Sequence, residues 1–178
     1  MSIKSLAVFC GSKPGNNPVF ESDAKELGKL LAQKNIGIVY GGGNKGLMGA
    51  VANAALEQNG RVTGIIPRLL TEWESQHTGV TELLVVETMH IRKQMMYEKS
   101  DAAIILPGGY GTLDELFEML TWNQLSIHNK KIFFLNSGGF YNHLFEHIKM
   151  MDSENLLYLN PDEQMKMLNH PADILPFI

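Results

Sequence analysis

Two stretches of this chain share one design, in which a short apolar run enters a glycine cluster and then a helical pattern. Val39-Tyr40 leads into Gly41-Gly42-Gly43-Asn44-Lys45-Gly46, and Ile105-Leu106 leads into Pro107-Gly108-Gly109-Tyr110-Gly111-Thr112. Around them the same alternation continues. Apolar runs at 6–9, 36–40, 62–66, 83–86, 102–106 and 132–135 read as strands. Apolar residues at helical spacing mark helices beginning at Pro18 behind an Asn17 cap, and over 47–58, 89–99, 112–123 and 140–151. Residues 68–81 read as a loop with one turn of helix. The tail holds a short apolar run at 156–159 and a helix opened by Pro161-Asp162-Glu163. Strands alternating with helices predict a mostly parallel sheet covered on both faces. The expected fold is therefore α/β, a single-domain, Rossmann-like doubly wound arrangement over residues 1–178.

Composition narrows the function classes. The chain has 178 residues, 44% of them hydrophobic, which is enough for one well-cored domain. Its formal net charge of −4 argues against nucleic acid or an anionic membrane as a partner, since both select basic surface. The single cysteine, Cys10, allows no internal disulfide, and neither a signal-like leader nor a run approaching ~20 apolar residues occurs. The expected location is cytoplasmic.

In a parallel sheet every strand-to-helix junction lies at the carboxyl edge, where open α/β folds bind ligands. Glycines let backbone approach a ligand, and a helix start offers unpaired N–H groups to an anion. Gly41, Gly42, Gly43, Gly46 and Gly108, with Gly11 and Ser12 closing the first strand, are thus candidates for a phosphate-holding edge. Gly41, Gly43 and Gly46 formally match G-x-G-x-x-G, but the following strand ends Gly64-Ile65-Ile66-Pro67-Arg68, without the carboxylate a dinucleotide ribose needs. No Gly-Lys-Ser/Thr triplet occurs either, so a monophosphate fits best. Thr112-Leu113-Asp114-Glu115 fits a capping box, with Thr112 capping and Glu115 reaching back. A carboxylate at such a helix start is equally placed for chemistry on a sugar beside the phosphate. The residues alone leave both roles open. Arg92-Lys93 alone reads as a solvated helix face paired with Glu98 or Asp101.

Three motifs together are far more specific: Gly41-Gly42-Gly43-Asn44-Lys45-Gly46-Leu47-Met48-Gly49, Met89-His90-Ile91-Arg92-Lys93, and Pro107-Gly108-Gly109-Tyr110-Gly111-Thr112-Leu113-Asp114-Glu115. With them the chain resembles the LOG ("Lonely guy") family of cytokinin riboside 5′-monophosphate phosphoribohydrolases, long labelled lysine decarboxylases. The resemblance runs from Val8 through Trp122-Asn123-Gln124-Leu125 to about Met151. It implies hydrolysis of the N-glycosidic bond of a purine nucleoside 5′-monophosphate, giving free base and ribose 5-phosphate. It makes Arg92 and Glu115 the catalytic pair. It assigns substrate contacts to Glu74, Lys93, Gly109, Tyr110, Gly111, Thr112, Leu113, Asp114 and Thr121. Asp114 stands where relatives commonly carry glutamate. The family implies a homodimer, for which Trp122, Leu125 and Ile127 are candidate interface residues, and no cofactor.

Two other readings compete. A nucleotide-binding regulatory module would keep the pocket without turnover, but has no need of both Arg92 and Glu115. A decarboxylase would need a Schiff-base lysine in a dedicated phosphate site, usually in a much larger chain. His143-Leu144-Phe145-Glu146-His147 formally fits the zinc pattern H-x-x-E-H. Phe140, Leu144, Ile148 and Met151 form an ordinary amphipathic stripe there, and spacing supplies no third ligand. No metal is expected.

Overall fold

A computed structural model describes residues 3–71 and 75–178. Seven strands form one sheet in the order β4-β3-β2-β1-β5-β6-β7: β1 Ser5–Phe9, β2 Gly37–Tyr40, β3 Val62–Pro67, β4 Glu82–Val86, β5 Ala102–Ile105, β6 Ile132–Leu135 and β7 Met165–Leu168. Every pairing is parallel. The chain steps outward from β1 to β4, then returns to lay β5 on the other side of β1. That reversal opens a crevice at the carboxyl ends of β1 and β5.

The helices are α1 Pro18–Gln33, α2 Gly46–Leu56, α3 Met89–Glu98, α4 Tyr110–Gln124, α5 Asn142–Ser153 and the single turn α6 Pro161–Gln164. Alternate strand residues feed two cores. Leu6, Val8, Ile38 and Tyr40 pack with Leu27, Leu31 and Val51 of α1 and α2. Ala7, Phe9, Ile105 and Phe134 pack with Met96, Leu116 and Met119 of α3 and α4. Both faces being covered, the central strands need the near-continuous apolar runs that made them legible. Asn17 caps α1 by accepting from the Val19 amide at 3.1 Å, with Pro18 at the first helical position.

The tail departs from expectation. The helix opened by Pro161 stops after one turn at Gln164, and Met165–Leu168 forms β7, paired with β6 from Ile132↔Met165 to Leu135↔Leu168. Met-Lys-Met-Leu prefers helix locally, but the open edge of β6 offers hydrogen bonds and a place to bury Met165 and Leu168. Tertiary context overrides propensity there.

Between β3 and β4 the chain makes the expected single turn, a 3-10 helix at Arg68–Leu70, and then lies against the first glycine loop. The Asn44 amide donates to the Ser75 carbonyl at 3.0 Å and the His77 amide to the Gly42 carbonyl at 2.8 Å. The His77 ring fastens this strap. Its Nδ1 accepts from the Gly79 amide at 3.1 Å, which places the ring proton on Nε2, 2.9 Å from Asn53 Oδ1. Burial holds the ring's pKa below the ordinary 6.5. The unfolded chain therefore takes up a proton near ~6.5, while the folded ring resists it until lower pH. Stability supplied by neutral His77 is present above ~6.5 and lost as pH falls below it. Denaturant unfolding between pH ~7 and ~5 should show a steeper acid loss in the natural protein than in His77→Gln. His128, lowered by burial and by Lys130, contributes a residual slope of the same sign. Identical slopes in the two proteins would contradict the strap assignment.

Candidate active site

The crevice between β1 and β5 holds a cavity of about 380 Å³, walled by Cys10, Gly11, Ser12, Met48, Leu70, Met89, Arg92, Gly109, Tyr110, Gly111, Thr112 and Glu115. Backbone hydrogen bonds fix the three loops that frame it. The Gly11 amide donates to the Pro107 carbonyl at 3.0 Å, and the Leu47 amide at the start of α2 donates to the Gly11 carbonyl at 3.1 Å.

The first glycine loop serves this site from behind. A Cβ on Gly41 would lie 1.8 Å from Arg92 Nη2, so the missing side chain makes room for the guanidinium. Gly46 has φ +57, and a Cβ there would meet the Ser12 backbone at 2.4 Å. Gly42 and Gly43 are covered by the strap at His77 and Gln76. None of Gly41, Gly42, Gly43 and Gly46 is on the cavity wall. Gly108 also sits behind it, packed beneath Thr112, whose Oγ1 is 2.1 Å from where a Cβ would be. Gly109 and Gly111 differ. Both are on the wall, and a Cβ on either would meet nothing within 4 Å.

The expected capping box does not form. Extended Gly109 is the N-cap, without a side-chain cap bond, and α4 starts at Tyr110. Thr112 is the third helical residue and Glu115 lies in the second turn. The reason is the backbone: Gly109, at φ −99 and ψ −153, turns the chain into the helix three residues earlier than a Thr112 cap would. The first amides of α4 lack intrahelical acceptors, and the residues that carry them, Tyr110, Gly111 and Thr112, line the cavity. Glu115, 7% exposed, faces Arg92 instead of its own helix start.

Arg92, in the first turns of α3, is 5% exposed and anchored by neither Glu98 nor Asp101. Its Nη2 stands 3.9 Å from Glu115 Oε1, too far for a hydrogen bond. Its Nη1 has Met89 Sδ at 3.8 Å, and its Nε has no partner among the described residues. A buried guanidinium so poorly satisfied is poised for an acceptor from outside the chain.

Lys93 turns the other way. Its Nζ lies 3.0 Å from both Asp114 Oδ2 and Glu118 Oε2. Burial alone would lower its pKa, but these two carboxylates raise it above the ordinary lysine value, so it stays charged. Lys93 and Asp114 thus meet each other, and neither they nor Leu113 line the cavity. Among the described residues no lysine does. Thr121, exposed, donates from Oγ1 to the Phe117 carbonyl at 2.7 Å, well along α4 from the cavity. Glu74 lies outside the described residues. Cys10, Met48 and Leu70 are wall residues that pattern did not single out. Cys10 had a signal, since it ends the central strand beside Gly11. Met48 lies within the first glycine motif, and Leu70 had no signal.

A parallel sheet with a crevice at its reversal point, a helix start without a side-chain cap and a buried arginine on the crevice wall define the class: an α/β protein with a small-molecule-sized site at the carboxyl edge of its sheet. The chain belongs to the family whose model is described as "possible lysine decarboxylase", matched over residues 48–177, the LOG family of its motifs. It is 46% identical over 147 residues to the cytokinin riboside 5′-monophosphate phosphoribohydrolase of Rhodococcoides fascians, covering 82% of this chain and 74% of that one. It is 42% identical over 169 residues to the enzyme of that name from Arabidopsis thaliana, covering 95% and 78%. A probable enzyme of the same name from Oryza sativa subsp. japonica is 48% identical over 139 residues, with 78% of this chain and 62% of that one covered. Among solved structures, the molybdenum cofactor binding protein of Rippkaea orientalis has a TM-score of 0.73 at 23% identity, covering 99% of this chain and 95% of that one. The molybdenum cofactor carrier protein of Chlamydomonas reinhardtii gives 0.74 at 18%, covering 97% and 93%. These last two share the fold.

Because no described residue lies within 4 Å of where a Cβ on Gly111 would be, Gly111→Ala separates fold from ligand. Its unfolding free energy should be unchanged or higher by up to ~1 kcal/mol, as for Gly→Ala in a helix. Its affinity for AMP, read by calorimetry, should fall at least about tenfold, the equivalent of ~1.4 kcal/mol. Unchanged affinity would remove Gly111 from the binding surface.

Proposed function

We propose that this protein hydrolyses the N-glycosidic bond of purine nucleoside 5′-monophosphates, AMP or an N6-substituted AMP, to free base and ribose 5-phosphate. The observation that carries this reading is the buried pair Arg92 and Glu115, held 3.9 Å apart beside an uncapped helix start. The α4 amides offer donors to the phosphate. Breaking C1′–N9 builds positive charge on the ribose and negative charge on the departing base. The Glu115 carboxylate stabilises the oxocarbenium-like sugar through its 2′-hydroxyl, or takes the proton of the attacking water. Water supplies the hydroxyl that forms the new C1′–O bond, and the base leaves with a proton from solvent. Arg92 keeps its proton, so its part is electrostatic: holding phosphate or ribose, or stabilising the departing base. The relatives' shared name and both motif residues support turnover over a binding module. The lysine-free wall gives the decarboxylase label no Schiff-base residue.

The active form in this reading is a homodimer. Leu125 and Ile127, 63% and 61% exposed, form an apolar end to α4 that a second copy would cover, while Trp122 packs inward against Tyr97. Thr121 lies on that same end, so a substrate contact from it is made to the partner's site. We place the protein in the cytoplasm, on its single cysteine. Among the described residues no helix is long and apolar enough to cross a membrane.

Incubation with AMP and N6-isopentenyl-AMP should release free base. Glu115→Gln should lower kcat by about 10²–10⁴ and Arg92→Ala by about 10²–10³. AMP bound equally by all three proteins, with base released equally slowly, would leave only a binding module. Sedimentation equilibrium of the same preparation distinguishes dimer from monomer.

A further inference from the structure

Arg92 and Glu115 do not hold each other. At 3.9 Å they are not hydrogen-bonded to each other, and Arg92 Nε has no partner among the described residues, so the contacts that fix α3 against α4 bear directly on their relative orientation. Beside them runs a second, tighter set of contacts between the same helices. Lys93, next to Arg92, bridges Asp114 and Glu118 at 3.0 Å each, and Asp114 is next to Glu115. One helical turn further on, Tyr97 Oη lies 2.9 Å from Glu118 Oε2 and 3.2 Å from the carbonyl of Glu115 itself. Tyr97 is 2% exposed, its ring set edge-on against Trp122 with centroids 4.7 Å apart. Burial, then the nearby Glu118, push the phenol's pKa far above its ordinary value, so it remains a donor. The Glu115 backbone is thereby tied directly to α3.

We propose that Tyr97 and Glu118 are positioning residues, setting the Glu115 carboxylate and the Arg92 guanidinium in register through the Tyr97–Glu118–Lys93 bridge. Lys93 is shared between the bridge and Asp114. Tyr97 and Glu118 touch neither the cavity nor a ligand in it. The inference rests on the reading of Arg92 and Glu115 as the reacting pair.

Tyr97→Phe removes the hydroxyl and leaves the ring in its packing. With AMP as substrate, kcat should fall about tenfold or more, the scale of a sub-ångström misplacement, while KM stays within about twofold. Glu118→Gln should lower kcat similarly. The double variant should be no slower than Tyr97→Phe alone, because the two act as one unit. Gln94→Ala, on the exposed face of α3 where Gln94 bonds Glu98, is the control and should leave kcat unchanged. The Arg92 Nε–H resonance should shift or broaden in Tyr97→Phe and not in Gln94→Ala. Unchanged kcat in Tyr97→Phe, strictly additive losses, or a kcat loss matched by equal losses of thermal midpoint and AMP affinity would overturn the proposal. A natural protein without turnover would overturn the hydrolase reading instead, and an unmoved Arg92 resonance would then still overturn this one.

Discussion

Everything in this structure converges on one uncomfortable charge. The Arg92 guanidinium is buried, yet the Glu115 carboxylate stands 3.9 Å away and, among the described residues, its Nε has no partner. An unmet buried donor costs about 1–3 kcal/mol, and more when it belongs to a charged group. The fold bears that cost through a specific arrangement. Gly41 vacates the space the guanidinium fills, α3 carries it under the crevice, and Lys93 one residue on is fully paired. An arginine meant only to join helices would have been given Glu98 or a closer Glu115. One left hungry at the wall of a cavity is kept for a ligand.

The glycines divide along the same line. Those at 41, 46 and 108 are demanded by the protein, because a Cβ would strike Arg92, the Ser12 backbone or Thr112. At Gly109 and Gly111, both on the cavity wall, a Cβ would meet no described residue within 4 Å. The two loops therefore do not grip a ligand symmetrically. In the proposed reading, the loop after β2 backs the site, and the loop after β5, hydrogen-bonded to the loop after β1 beside it, faces the ligand.

Much of this was legible in the sequence. Strands buried on both faces must be apolar throughout, so β1, β2, β3, β5 and β6 announced themselves, and Asn17-Pro18 marked the start of α1. Arg92 and Glu115 came from motif resemblance, and the structure brings them together from helices on either side of β5. What escaped were long-range effects. Met165–Leu168 became a strand only because β6 left an open edge. Thr112 lost its expected cap because Gly109 let α4 begin sooner. Glu118 and Tyr97 carry no local signal, since their meaning lies in a contact between α3 and α4. Lys93, a ligand contact by resemblance, pairs with Asp114 and Glu118 across α3 and α4, a contact no local pattern announces.

The most direct test is a crystal structure of Glu115→Gln, slowed enough to retain AMP. The account predicts the nucleotide in the β1/β5 crevice, with its phosphate against the amides at the start of α4. It also predicts an AMP oxygen within about 3.2 Å of an Arg92 nitrogen. A nucleotide bound elsewhere, or bound there with the Arg92 guanidinium still unmet, would contradict it.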